Sequence, residues 1–172
     1  MAKQKKSVQR IALCGLLTAL MLVLGYVESM LPAVPGIPGI KLGLSNGVLI
    51  FAIYLLDIPT AFALMALKIV LSGLMFSGVS AMMYAAAGGL LSMIAMSLLS
   101  RVKGLHMVTV SMAGGAMHNA GQVLMAMLVL QTPKLVYYLA ILLVVGLVTG
   151  LLIGWAANIA IRHLKSSKIR FN

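Results

Sequence analysis

The chain consists almost entirely of six long apolar runs, which are separated by short stretches that contain proline, glycine or basic residues. These runs cover residues 11–31, 43–56, 59–78, 80–100, 105–131 and 134–162. A hydrocarbon core about 30 Å thick needs about 20 helical residues to cross it. The second run is shorter than this unless it is tilted or begins in the preceding loop. The pattern predicts an all-α integral membrane protein with six transmembrane helices.

Composition and proline placement agree with this fold class. Hydrophobic residues make up 62% of the chain and charged residues only 9%, which is typical of a protein embedded in a bilayer. All five prolines fall at the ends of runs or in loops, where a missing N–H does least harm. Because the connections and both termini are short, we expect residues 1–172 to form a single transmembrane domain.

The basic residues indicate how the chain is oriented. Thirteen Lys and Arg residues outnumber two acids, which gives a formal net charge of +11. With six spans, the basic clusters before the first run, between the fourth and fifth runs and after the sixth lie on one side. The positive-inside rule places that side, with both termini, in the cytoplasm. Clusters beside apolar runs suit anionic lipid headgroups better than a nucleic acid, so membrane lipid is the expected contact.

Several polar side chains interrupt the apolar runs at similar depth. Counting about 1.5 Å of rise per helical residue predicts an outer band of Glu28, Lys41, Asn46, His118, Asn119 and Gln122. The same count places Lys68 near the middle of the third helix, as a floor to the band. Ionisable groups at membrane depth are costly and mark functional sites. These polar residues are therefore candidates for a functional site, and Lys68 is the most informative of them.

These polar residues also have structural interpretations. Lys68 could form an ion pair with Glu28, bond a helix-end carbonyl or extend its amine toward the membrane interface. His118 and Gln122 are four residues apart and share a helix face, so one ligand could contact both. Asn119 points about 100° away from them and could bridge two helices instead. Hydrogen bonds between helices, without a ligand, are the alternative for all three.

Two further features suggest a ligand lid and packing surfaces. The stretch "PAVPGIPGIKLG", residues 32–43, is either a connector or a lid over an outward-facing pocket. Small residues four apart let helices approach closely. Gly146, Gly150 and Gly154 form such a row, for which packing within the chain is the expected role. Gly15 and Ala19 form a smaller row, which is a candidate docking surface for a separate membrane subunit.

Some kinds of chemistry are missing from the sequence. It has no G-x-x-x-x-G-K-[ST] motif, so ATP hydrolysis at a P-loop is not expected. Two acids on different helices cannot hold the Mg²⁺ ions of a prenyl diphosphate synthase. The three histidines lack metal-ligand spacing, and no Ser, His and Asp set suggests a nucleophile. We expect no catalysis, cofactor or metal, although proton-coupled transport through Glu28 or His118 remains open.

Spaced motifs resemble one known family. "PGIKLGLSNGVLIFAIYLL", "ALKIVLSGLMF", "AAAGGLLSMIAM", "AGGAMHNAGQ" and "GLVTGLLIGWAA" resemble the Gx transporters, also called heptaprenyl diphosphate synthase component I, over about residues 10–162. That family is similar to the substrate-binding S components of energy-coupling-factor (ECF) importers. The resemblance implies an S-component-like bundle in the bacterial cytoplasmic membrane. It implies a substrate pocket formed by Lys41, Asn46, Lys68, His118, Asn119 and Gln122. It also implies docking through Gly15 and Ala19 to a transmembrane coupling subunit driven by two ATPases.

Three functions follow as hypotheses. The first is a non-catalytic subunit that captures a small nutrient or cofactor precursor for import. The second is a membrane accessory of a separate prenyl diphosphate synthase. The third is a scaffold for a membrane assembly. Lys41 and Lys68 suit a phosphate or carboxylate, which leaves flavin-like, thiamine-like, isoprenoid and quinone-precursor ligands open.

Overall fold

The computed structural model describes residues 2–31 and 41–166, and the regular structure in these ranges is helical throughout. Within them the chain forms seven α-helices: α1 (Ala2–Met30), α2 (Leu44–Gly47), α3 (Leu49–Leu55), α4 (Ile58–Ser72), α5 (Gly78–Leu99), α6 (Met107–Leu130) and α7 (Val136–Ser166). The predicted all-α fold is confirmed for this part of the chain. Most of the predicted lid, residues 32–40, lies outside the described residues.

Three of the described helical stretches are long and apolar enough to cross a membrane. They are Ser7–Met30, Ile58–Leu99 and Pro133–Leu164. This finding supports the membrane class that the hydropathy of the sequence predicted. The total of six spans and the cytoplasmic position of both termini stay predictions.

The long stretch Ile58–Leu99 folds back on itself. A π-helical turn, Gly73–Ser77, follows α4, and Gly78 then adopts a φ of 76°, which glycine reaches without steric cost. A Cβ atom built on Gly89 would lie 2.9 Å from Sδ of Met65, whereas in one continuous helix these two residues would be about 36 Å apart. Helices α4 and α5 are therefore antiparallel neighbours.

Glycines allow α6 and α7 to pack with their backbones in contact. A Cβ atom on Gly146 would lie 2.5 Å from the carbonyl oxygen of Gly115, and one on Gly150 would lie 2.5 Å from that of Ser111. Any larger residue would push the helices apart. This is the packing role within the chain that the sequence predicted for the Gly146 row.

The second apolar run is as short in the structure as its sequence indicated. It forms the short helices α2 and α3, which meet at Val48 and together cover residues 44–55, about 18 Å of helix. These helices lie in the centre of the bundle, where Leu49, Ile50 and Ala52 are fully buried. The 41–43 stretch that precedes them is not helical. The helical range therefore lies within one residue of the predicted run 43–56 at each end and does not extend into the preceding loop.

A polar cluster joins the start of α4 to α1. Asp57 lies between α3 and α4 and accepts a hydrogen bond from the Thr60 N–H at 2.7 Å, so it is the N-cap of α4. Pro59 follows in the first turn of this helix. Arg10 of α1 forms an ion pair with Asp57 and donates to Oγ1 of Thr60 at 2.6 Å. The hydrogen bonds from Thr60, with a smaller contribution from Arg10, lower the pKa of Asp57.

Candidate functional site

The chain enters α2 through a buried segment, residues 41–45, whose first three residues are not helical. Lys41 is 7% exposed, and Gly43 has a φ of 89°. A Cβ atom on Gly43 would also lie 2.9 Å from Cδ2 of His118. Glycine is therefore needed at this position both for its backbone conformation and for the space beside the imidazole.

Two polar side chains satisfy the backbone of the buried segment. The Lys41 N–H donates to Oε1 of Gln122 at 2.7 Å, and Nε2 of Gln122 donates to the Lys41 carbonyl at 3.3 Å. The Glu28 carboxylate accepts from the N–H groups of Leu44 at 2.6 Å and Ser45 at 3.2 Å. Non-helical backbone and the first N–H groups of a helix both need such partners inside a membrane protein, because lipid offers none. Glu28 and Gln122 thus hold the segment in the bundle.

His118 and Asn119, which are adjacent in sequence, have different partners. Nε2 of His118 contacts Nε2 of Gln122, so the imidazole accepts a hydrogen bond there and the amide lies between His118 and Lys41. Nδ2 of Asn119 donates to the Leu142 carbonyl of α7 at 2.6 Å. Asn119 therefore bridges α6 and α7, which is the alternative that helical phase suggested. A ligand contact by these side chains stays a prediction.

The two buried lysines also differ. Nζ of Lys41 donates to Oγ of Ser77 at 2.6 Å and lies 5.2 Å from the centre of the Phe76 ring. Lys68 is 3% exposed, and among the described residues its amine has neither a hydrogen bond nor a carboxylate within salt-bridge distance. The Glu28 carboxylate attracts the Lys68 charge from further away. A direct ion pair with Glu28 and an amine extended into solvent are both wrong for this structure.

Asn46 and His118 lie beside the middle of α5. A Cβ atom on Gly89 would lie 3.6 Å from Oδ1 of Asn46, and one on Gly88 would lie 2.9 Å from Nδ1 of His118. Gly88 and Gly89 are at the middle of α5, so both polar side chains are central in the bundle. Their depth in a membrane stays a prediction.

Asn46 also borders a small cavity that the sequence did not reveal. Its polar lining includes Ser92 of α5, Ser111 of α6 and Thr149 of α7. These residues were missed because a hydroxyl group in an apolar helix commonly bonds its own backbone and gives no distinct signal of a site. The glycines that lie close to them in the sequence, Gly114 and Gly150, were the available signal, since they also line the cavity.

The predicted docking residues border a groove on the outer surface of α1. Gly15 and Ala19 line an apolar groove of about 460 Å³, together with residues of α4 that include Leu64 and Leu67. A Cβ atom built on Gly15 would have no atom within 4 Å. The two small residues therefore face open space and do not pack against the rest of the described chain.

The site offers binding chemistry rather than an evident reaction. The described residues contain no group of three or more His, Cys, Asp or Glu side chains that could hold a metal ion. Glu28 is committed to backbone N–H groups, whereas Asp57 caps α4. The remaining groups are ammonium, amide, imidazole and hydroxyl groups, which can neutralise an anion and exchange hydrogen bonds with a ligand.

Together these features define an all-helical membrane protein whose bundle encloses a polar cluster and a buried non-helical segment. The chain belongs to the heptaprenyl diphosphate synthase component I family, whose model matches residues 17–160. This match covers all seven helices at least in part and confirms the family that the sequence motifs indicated. Comparison with curated proteins and with solved structures gave no match.

Proposed function

We propose that this protein is the substrate-binding membrane subunit of an ECF-type importer, and that it captures a small nutrient or cofactor precursor. The observation that carries the proposal is Lys68, a buried ammonium group with no partner within bonding distance among the described side chains. A charge in a low-dielectric interior is costly unless it is paired. An anionic group on an incoming ligand supplies the missing partner.

The buried segment gives the ligand a way in. It begins at Lys41, whose backbone is bonded to Gln122. Because side chains and not a helical ladder hold residues 41–43, this part of the segment can move without unwinding a helix. We propose that the ligand enters from the outer side as residues 41–43 move and that it is enclosed when the Gln122 hydrogen bonds form again.

The partners follow from the energy that uptake needs. The sequence lacks a P-loop, so ATP must be hydrolysed by other chains. The open groove at Gly15 and Ala19 is apolar and suits a transmembrane helix of a coupling subunit, because small residues allow close helix contact. We propose that two ATPases drive this coupling subunit. The complex would lie in a bacterial cytoplasmic membrane, with six spans and both termini of this chain in the cytoplasm.

Native mass spectrometry of the purified full-length protein tests the capture role. The wild type should retain a small acidic molecule, and Lys68→Met should lose it because the buried positive charge is gone. Lys134→Met is the matched control, since Lys134 is exposed in the turn just before α7. Equal retention by Lys68→Met and the wild type would contradict the assignment of Lys68, and retention of phospholipid alone would count against capture.

The family description favours a second function. The family is that of component I of heptaprenyl diphosphate synthase, which suits a non-catalytic membrane accessory that helps a separate subunit make or handle an isoprenoid. Copurification distinguishes the two proposals. An importer subunit should bring down two ATPases and lose them in Gly15→Leu, but not in Ala156→Leu on the exposed surface of α7. An accessory should bring down a soluble, carboxylate-rich prenyltransferase.

A further inference from the structure

A small cavity lies in the middle of the bundle, on the inner side of the buried segment. Its polar lining is entirely uncharged: an amide, an imidazole and three hydroxyl groups, which belong to Asn46, His118, Ser92, Ser111 and Thr149. The volume of the cavity is about 10 Å³, which is close to the smallest volume that can hold one water molecule. The cavity is therefore too small, as it stands, to hold a ligand group.

Some of the cavity's polar atoms have no partner. Both amide atoms of Asn46 and Oγ of Ser111 are buried and accept or donate no hydrogen bond within the described chain. Asn46 is 2% exposed, and Ser111 is equally buried. Buried polar atoms in folded proteins are nearly always hydrogen-bonded. A single water can satisfy part of this set, and a ligand that displaces it must offer both donors and acceptors.

One wall of the cavity is formed by the chain at the start of α2. Gly43 and Gly47 line it, and Gly43 belongs to the buried segment that Glu28 and Gln122 hold through their side chains. A shift of Gly43 would widen the cavity without a change in the packing of α5, α6 and α7. The Lys68 side of the bundle is adjacent, because a Cβ atom built on Gly89 would lie 3.6 Å from Oδ1 of Asn46 and 2.9 Å from Sδ of Met65, and Lys68 lies one turn further along α4 on the same face as Met65.

We propose that the cavity is a neutral subsite for an amide-like or lactam-like group of the captured molecule, whose anionic group is bound by Lys68. This inference rests on the proposed capture function. A primary amide such as that of Asn46 pairs with a lactam through one donated and one accepted hydrogen bond. Gln122 already makes this kind of pair with the Lys41 backbone. A hydrocarbon chain at the same place leaves Asn46 unpaired.

Three ring compounds serve as probes in a binding assay with the full-length protein in detergent. Orotate carries a lactam and a carboxylate, benzoate carries only the carboxylate, and uracil carries only the lactam groups. Orotate should bind at least about tenfold more tightly than benzoate, because a site built for hydrogen bonds rejects an analogue that lacks them. Uracil should bind more weakly than orotate, since it offers nothing to Lys68.

Substitutions assign that preference to the cavity. Asn46→Leu should reduce the preference for orotate over benzoate to less than about twofold. Asn46→Ser, which keeps a smaller polar group, should also reduce this preference and serves if the leucine variant fails to fold. Asn158→Leu on α7 is the control, because Asn158 does not line the cavity, and it should keep the preference. Three results would overturn the subsite. They are equal binding of orotate and benzoate by the wild type, binding of neither probe by the wild type, and an unchanged preference for orotate in both Asn46 variants.

The outcome is separable from that of the import proposal. If the orotate preference depends on Asn46 but no ATPase copurifies, the subsite stands and the importer assignment falls. If ATPases copurify and depend on Gly15 while the probes do not discriminate, the importer assignment stands and the neutral subsite is wrong.

Discussion

Replacing Gln122 with methionine tests whether its side chain holds the buried segment in the bundle. Methionine has a similar volume, so it leaves no large cavity, but it cannot make the two hydrogen bonds to the Lys41 backbone. An unpaired buried N–H costs about 1–3 kcal/mol, and the longer bond to the carbonyl adds about 0.5–1 kcal/mol. We expect the free energy of unfolding to fall by about 1.5–4 kcal/mol.

Thermal unfolding in detergent, followed by circular dichroism, measures this loss. For a chain of this length each kcal/mol moves the midpoint by about 2–4 °C, so the middle of the range corresponds to about 8 °C. Gln131→Met is the matched control, because Gln131 is exposed at the end of α6 and bonds only the nearby Leu128 carbonyl. It should shift the midpoint by less than about 2 °C. A shift just as small in Gln122→Met would refute the holding role.

Two further predictions concern Asp57 and Gly43. Because the folded-state pKa of Asp57 is lowered, the ionised carboxylate contributes fully to stability above about pH 4, and this contribution is lost as the pH falls through the folded-state pKa. Asp57→Asn should therefore have a lower unfolding midpoint than the wild type near pH 7, and the difference should shrink at about pH 3 and below. A difference in midpoint that does not vary with pH would contradict this origin. Gly43→Ala should lower the unfolding midpoint more than Gly104→Ala does. Both glycines have positive φ, which costs an alanine about 1–2 kcal/mol at either position. Only at Gly43 does the added methyl group also contact His118. Equal losses in the two alanine variants would show that contact with the imidazole is unimportant.

Hydropathy and proline placement predicted most of the helices, because both act locally. The turn between α4 and α5 was located correctly between the runs 59–78 and 80–100, and in the structure it falls at Gly78. The buried segment could not be predicted in the same way. Its stability depends on Gln122 and Glu28, which are distant in sequence, and no local pattern shows that these side chains bond to backbone.

The sequence predicted which polar residues are buried together but not how they are arranged. Lys68, Asn46 and His118 are all buried, as a polar cluster inside the bundle requires. Counting helical rise assumes that every helix starts at the membrane surface, whereas α2 starts beside the middle of α5. Ser111 was overlooked because a hydroxyl in an apolar helix commonly bonds its own backbone, and only the packed structure shows that this one does not.

Hydrogen-bond partners divide the buried polar residues into two groups with different consequences. Gln122 and Glu28 are paired with backbone, so removing either leaves buried N–H groups unsatisfied and costs stability. Lys68 and Asn46 have no such partner in the described chain. Truncating them removes a desolvated group without orphaning another, so the folded state should lose little. Stability alone therefore does not account for the second group, which is why we propose that a ligand pairs with both residues.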